Sequence, residues 1–178
     1  EKLDLKFDII ESVGVLHHMR DPLDGWKVLT ECLKPGGLMK IGLYSKLARK
    51  SVADFRRNIK PTKEPMSNKK IKSIRNKIIN STNKEHDYMK SWPDFYSLSE
   101  IRDLLFNVQE HRFTLPQIKD CLRDLGLTFC GFENLSIKNS FLRSYNDSDL
   151  YDLMQWDLFE KSNPGIFAGM YQFWCQKS

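Results

Sequence analysis

Apolar and polar positions along this chain fall into blocks of changing spacing, and each change marks an element. Phe7 to Leu16 (FDIIESVGVL) is a short run, rich in β-branched residues and interrupted by few polar ones. Such a run suits a buried central strand better than one with a wet face. Helix punctuation follows: Asp21 as N-cap, Pro22 at the first helical position and Asp24 at the positive end of the dipole. Leu23, Trp26, Leu29 and Leu33 then recur at helical spacing, and Lys34-Pro35-Gly36-Gly37 closes the helix. LMKIGLY, from Leu38 to Tyr44, reads as a second strand. Strand, helix and strand with short joints form a βαβ unit, which implies parallel pairing and a right-handed crossover.

Further along, Ser97 and Glu100 form a capping-box pattern ahead of Ile101, Leu104, Leu105 and Val108. Thr114 and Gln117 repeat it ahead of Ile118, Cys121, Leu122 and Leu125, and Gly126 ends that helix. LTFCGF, Leu127 to Phe132, is a third strand. A further helix is expected from about Asp147 to Lys161, with Leu150, Leu153, Met154 and Leu158 facing inward. Asn163-Pro164-Gly165 turns the chain into an aromatic-rich last strand, Phe167 to Cys175. The pattern predicts an α/β domain with four strands and about five helices.

Charge singles out one segment. Between Lys46 and Lys90 stand fourteen Lys and Arg against four acids, although the whole chain carries only +5. This stretch is poor in large apolar residues and broken at Pro61 and Pro65, so it reads as a helical insertion or lid. The expected division is residues 1–45 and 113–178 as the main domain and 46–112 as the insertion, basic in 46–90. Such a segment suits a solvated, Lys-rich helical face, or else an anionic partner. Few aromatics interleave with the charges as single-strand binding would require, so the solvated face is the favoured reading and nucleic acid a possible but not favoured partner.

The remaining composition narrows the classes. With 178 residues, 40% hydrophobic and 29% charged, the chain is globular. No apolar run approaches the roughly 20 residues of a membrane span. Cys32, Cys121, Cys130 and Cys175 are scattered without a CxxC pair, which fits buried thiols in a reducing cytoplasm rather than zinc or disulfides. No signal sequence is expected from the opening at Glu1, and a chain without an initiator Met reads as a fragment.

In an open parallel sheet, ligands bind beyond the carboxyl ends of the strands. Those ends carry Gly14, Val15, Leu16, His17 and His18 after the first strand, and Tyr44 and Ser45 after the second. Gly14 allows close backbone approach to a ligand. His17 and His18 offer a base or hydrogen-bond donor, or else one ring packed under the following helix and one in solvent. No third ligand stands nearby, so no metal is expected. Glu110-His111-Arg112 is a second polar cluster, with Arg102 and Asp103 on the helix before it, and Tyr96 and Ser97 read as capping and packing groups. No Walker loop, GxSxG elbow or HExxH is present, which argues against nucleotide hydrolysis.

FDIIESVGVLHHMRDP and GWKVLTECLKPGGLMKIGLYS together resemble the second half of the class I S-adenosylmethionine-dependent methyltransferases. SLSEIRDLLFNVQEHRFTLPQIKDCLRDLGLTFCGFE and NPGIFAGMYQFWCQK are similar to a bacterial subgroup whose methyltransferase domain is often joined to tetratricopeptide repeats. The resemblance implies a Rossmann-like sheet in the order 3-2-1-4-5-7-6 with its last strand antiparallel, helices on both faces, and strands four to seven held here. Strands one to three, with the GxGxG cofactor loop and the ribose-binding acid, are not in this chain.

By the same resemblance, Glu11, Ser12, Val13, Gly14 and Leu16 line the methionine and ribose side of S-adenosylmethionine. His17, Tyr44 and the insertion face an unidentified methyl acceptor, with His111 as a further candidate base. A strand as apolar as Phe7 to Leu16 wants neighbours on both edges, yet only one parallel partner is encoded. The chain is therefore expected to be the C-terminal piece of a longer methyltransferase, inactive alone, and either self-associating through that edge or poorly soluble. A basic lid would favour an acidic or phosphate-bearing acceptor. The rival expectation is a non-catalytic interaction or RNA-binding module derived from a methyltransferase.

Overall fold

A computed structural model describes residues 5–58, 67–91, 95–106, 110–145 and 149–178. In chain order the elements are β1 (Phe7–Val13), a single 3-10 turn (Leu16–His18), α1 (Pro22–Cys32), β2 (Leu33–Leu43), α2 (Lys50–Asn58), α3 (Asn68–Ile79), α4 (Lys84–Lys90) and α5 (Leu98–Phe106). They continue with α6 (Leu115–Asp124), β3 (Leu127–Phe132), α7 (Leu135–Ser144), α8 (Leu153–Ser162) and β4 (Tyr171–Lys177). The chain divides into two compact units, one of Glu1–Ala48 with Gln109–Ser178 and one of Arg49–Val108.

The first unit holds a four-stranded sheet in the order β1-β2-β4-β3. β1 and β2 pair in parallel, and β4 runs antiparallel to both β2 and β3. Three strands therefore point the same way, and β4 alone is reversed. Side chains alternate between the two faces of a strand, and the registers align these alternations across the sheet. Ile10, Met39, Cys175 and Phe129 share one face with Ser12, Ile41, Phe173 and Phe132. On this face α1 brings Trp26, α6 brings Leu115, Ile118 and Leu122, α7 brings Phe141, and α8 brings Trp156 and Phe159, all in one hydrophobic core. Phe141 and Trp156 stack at 3.9 Å, Trp156 meets Phe132 at 4.8 Å, and Trp26 lies 6.1 Å from Phe173. The rows on the opposite face are Glu11, Lys40 and Trp174, then Val13, Gly42 and Gln172.

Local punctuation explains most boundaries. Asp21 accepts hydrogen bonds from the backbone N–H groups of Leu23 and Asp24, with Pro22 at the start of α1. Thr114 and Gln117 make the full reciprocal capping box of α6, and Ser97 accepts from Glu100 at 3.5 Å before α5. Several expected boundaries move. β1 stops at Val13 because Gly14 turns to a φ of +78° and the chain enters the 3-10 turn. α1 ends at Cys32, because Leu33 is already extended and paired with Phe7; Lys34 to Gly37 then bulge out before Leu38 pairs with Ile9. The last strand starts at Tyr171, and Phe167 is buried from the preceding loop.

The expected inward face of two helices also needs correction. Leu23 is 41% exposed, and on α8 Met154 and Leu158 are 40% and 56% exposed. Trp156, Asp157, Phe159 and Glu160 are the buried positions of α8 beside Leu153. Asp152 caps that helix, so it begins later than expected, and Asp147 lies outside the described residues. α7 was not foreseen in the pattern; its apolar residues Leu135 and Leu142 face solvent, leaving Phe141 as its buried anchor.

The second unit packs α2 to α5 around Val52, Ile71, Ile78, Met89, Phe95, Ile101, Leu104 and Leu105. Arg56 donates to the Leu104 carbonyl, and Arg75 to that of Tyr96 at 2.7 Å. The breaks expected at Pro61 and Pro65 fall outside the described residues.

Candidate functional site

The carboxyl ends of β1 and β2 lie side by side because the two strands pair in parallel up to Val13 and Gly42. Gly14 continues the contact by donating to the Gly42 carbonyl at 3.4 Å. Its positive φ of +78° is far more readily adopted by glycine than by other residues, and a Cβ placed there would meet nothing within 4 Å. The backbone after β1 thus faces open space. The 3-10 turn that follows is held against α1 at Gly25, where a Cβ would come within 2.3 Å of the Met19 sulfur and 3.1 Å of Leu16. Leu16 is thereby fixed in the core, and His17 is turned inward beside it.

His17 is fully buried and Tyr44 nearly so. Their rings pack at 3.9 Å with a 32° tilt, and His18 meets His17 edge-on at 4.3 Å. A third segment closes over these strand ends. His111 donates its backbone N–H to the His17 carbonyl at 2.8 Å, and Phe113 donates to the Tyr44 carbonyl at 2.9 Å. Lys46 in turn donates to the Phe113 carbonyl, and Ser45 forms a parallel bridge with Phe113. Residues 111–113 therefore run along the ends of β1 and β2 as an extended segment held by one isolated bridge and backbone hydrogen bonds. Of the candidates read from sequence, His17, His18, Tyr44 and His111 come together here. Glu11 and Val13 lie on the sheet face away from the core, and Ser12 lies on the core face. The Glu110 side chain is buried, with its carboxylate 4.0 Å from the Arg112 guanidinium. Tyr96 and Arg102 belong to the second unit, and the Asp103 side chain lies outside the described residues.

One buried acid escaped the pattern of the sequence. Glu160 on α8 accepts from the Ser45 hydroxyl at 2.5 Å and from the Tyr171 hydroxyl at 2.6 Å. Ser45 also caps the turn beyond β2 by accepting from Ala48. One carboxyl therefore ties α8 to the end of β2 and the start of β4. Burial pushes the Glu160 carboxyl up, with Ser45 and Tyr171 opposing that shift and Asp157 adding to it. The Tyr171 hydroxyl is likewise raised, by burial first and then by the Glu160 charge. In sequence, Glu160 looks like one more polar residue of an amphipathic helix; its partners stand 115 and 11 residues away.

At the far side of the sheet, a cavity of about 310 Å³ opens between the end of β3 and the start of β4, lined by Phe132, Glu133, Asn134, Ile137, Phe167 and Met170 among others. Its polar groups are already engaged. Asn134 caps α7, and Glu133 accepts from Trp174 and pairs with Lys40. These contacts, Trp174 foremost, hold the Glu133 carboxyl below its usual range. All four cysteines are free, and burial pushes the Cys175 thiol up to about 12. Among the described residues, no cluster of His, Cys, Asp and Glu could hold a metal ion. No helix among them is long and apolar enough to cross a membrane.

Comparison with known proteins gives a consistent picture. No family model matches the chain. A protein of Synechococcus sp., described as uncharacterized protein syc1184_c, is 26% identical over 136 residues, which are 72% of this chain and 33% of that protein. The structure of PKMT2 from Rickettsia typhi matches 99% of this chain with a TM-score of 0.59 at 17% identity, and the same protein in complex with AdoHcy matches with 0.58 at 14%. In each PKMT2 structure the match covers 36% of the longer chain. The chain thus spans about a third of the length of the proteins it resembles.

Proposed function

We propose that the chain, whose fold is that of the class I S-adenosylmethionine-dependent methyltransferases, serves methyl transfer as the acceptor-side half of a longer protein. The observation that carries this reading is the arrangement at one sheet end. A β1-β2-β4-β3 sheet with only β4 reversed presents an open glycine backbone at β1 and a buried His17–Tyr44 pair beside it. The AdoHcy complex of the structurally similar PKMT2 supports S-adenosylmethionine as the cofactor.

The residues present suit half of a site for that group. Open space in front of Gly14 leaves room for a ligand against the backbone. Glu11, Ser12, Val13, Gly14 and Leu16 would hold the methionine and ribose side, with Ser12 and Leu16 acting through their backbone because their side chains are buried. When bound, S-adenosylmethionine supplies an electrophilic methyl group. This chain's own contribution is orientation and exclusion of water, which matter most in an in-line displacement. The packed, mutually tilted His17 and Tyr44 rings form a dry wall, held by the backbone hydrogen bonds from His111 and Phe113. An acceptor hydroxyl or amine must also lose a proton; the His17 ring nitrogens are buried, so the half-exposed His111 is the group to take it.

We propose in addition that the rest of the domain pairs along β1. Ile9 and Val15 are 59% and 54% exposed, and Phe7 and Val13 also face solvent. An apolar strand edge of this kind calls for a covering strand.

The test uses the full-length parent protein. It should bind S-adenosylmethionine in calorimetry, and the isolated chain should bind far more weakly or not at all. His111→Ala should lower methyl transfer by about a hundredfold with cofactor binding retained. A folded parent protein that binds no S-adenosylmethionine would overturn the reading.

A further inference from the structure

Helix α3 (NKKIKSIRNKII) carries a surface that the fold itself does not use. Ile71 and Ile78 are buried and Ile74 is half-buried, so its apolar side is spent in the core of the second unit. At 100° per residue, the opposite arc carries Lys72, Asn76, Lys69, Ser73, Lys77 and Lys70 in angular order, and all six are exposed. Four of the six are cationic, the other two can hydrogen-bond, and none is acidic. Among the described residues none of the four lysines has an ion-pair partner.

The placement works against the helix's own stability. Lys69 and Lys70 stand in the first turn, which holds no acid. Cations there oppose the helix dipole. Unpaired charge kept at a position where it weakens the helix needs a reason outside the fold.

We propose that this arc of α3 binds the phosphate backbone of a nucleic-acid duplex without reading its sequence. A membrane is disfavoured because α3 has no apolar face left to insert. Protein partners are usually anchored by buried apolar or aromatic side chains; here only Ile79 is exposed, singly, at the rim. Single-strand binding needs stacking aromatics, and the arc has none. What remains is a row of cations and hydrogen-bond donors about 12 Å long from Lys69 to Lys77. That length and density suit contact with about four phosphates. The inference stands apart from methyl transfer, since it needs neither cofactor nor acceptor.

The experiment is fluorescence anisotropy of the whole 178-residue chain with a labelled 20-base-pair duplex, run with DNA and with RNA. Four phosphate contacts predict a log–log salt slope of about −3.6, so affinity should fall about 150-fold between 50 and 200 mM salt. Lys69→Gln with Lys72→Gln should halve the slope and reduce that fall to about 12-fold. Lys69→Glu with Lys70→Glu should weaken duplex binding while leaving or raising thermal stability, because acids suit the first turn. That pair of readouts separates lost binding from lost folding. A duplex affinity unchanged in both variants would overturn the proposal. So would tighter binding to phosphatidylserine vesicles or to polyglutamate than to either duplex.

Discussion

Met39, Ile41 and Leu43 alternate along β2 with Lys40 and Gly42, and the two sets live in different surroundings. The first set, with Phe173 and Cys175 from β4, is sealed beneath α1, α6, α7 and α8. The second shares its face with Glu11, Val13, Gln172 and Trp174, which stay exposed or half-exposed. The parallel β1–β2 pair belongs to a kind of sheet normally covered on both sides, whereas the antiparallel pairings of β4 can leave one face wet. One backbone thus has a finished face and an unfinished one. The finished face accounts for the stability of this unit; the edge of β1 is where the longer domain proposed above would pair.

The widest gap between the faces should come from their tryptophans. Trp26 is fully buried against Phe173, so Trp26→Ala should cost about 3–5 kcal/mol. Trp174 is half-exposed, lies 5.9 Å from the Lys40 ammonium and donates to Glu133; Trp174→Ala should cost about a third as much or less. Urea unfolding of both variants measures the difference, and equal losses would break the comparison.

Next in size is the pH response of the packed side. Folding raises the Glu160 carboxyl above its free value, chiefly by burial, so the folded chain holds that proton more tightly. This group's contribution is full below the unfolded carboxyl value of about 4.3 and is lost as pH rises through the raised folded value. Glu160→Gln should remove that part of the pH dependence in thermal unfolding, with the Ser45 and Tyr171 contacts largely kept. An unchanged pH profile would contradict it.

On the open face the effects should be small. A double-mutant cycle on Lys40 and Glu133, 3.4 Å apart with Glu133 43% exposed, should give a coupling of about 0.2–1 kcal/mol. Smallest in stability is Ile9→Lys at the exposed edge, within about 0.5 kcal/mol. Yet it should shift sedimentation toward monomer, because a charged edge resists strand addition. Ile9→Lys that unfolds the chain would show that this face is finished after all.

Local punctuation was legible in the residues. Asp21-Pro22, the Thr114–Gln117 capping box and the strand Leu127–Phe132 stand where the pattern places them, because caps and turns act within three or four residues. The strand-end position of His17 and Tyr44 also follows from β1 and β2 alone. Other features were hidden. The bulge at Lys34 to Gly37 depends on Leu33 pairing with Phe7, a partner across the sheet. α7 shows little inward periodicity, since it rests on Phe141 and leaves Leu135 and Leu142 outside. The tie from Glu160 to Ser45 spans 115 positions, beyond any local spacing rule.

The sequence by itself determined the elements, their α/β order, the basic segment and the chemistry carried at the ends of the first two strands. Those features rest on backbone propensity, side-chain period and formal charge, which are properties of neighbouring residues. Only the tertiary structure decided which sheet face is sealed and that residues 111–113 lie along His17 and Tyr44. It alone buried Glu160 with two hydroxyls and left the lysines of α3 without an ion-pair partner among the described residues. Each of these depends on contacts between segments far apart in the chain, where burial and hydrogen bonding are settled by three-dimensional neighbours.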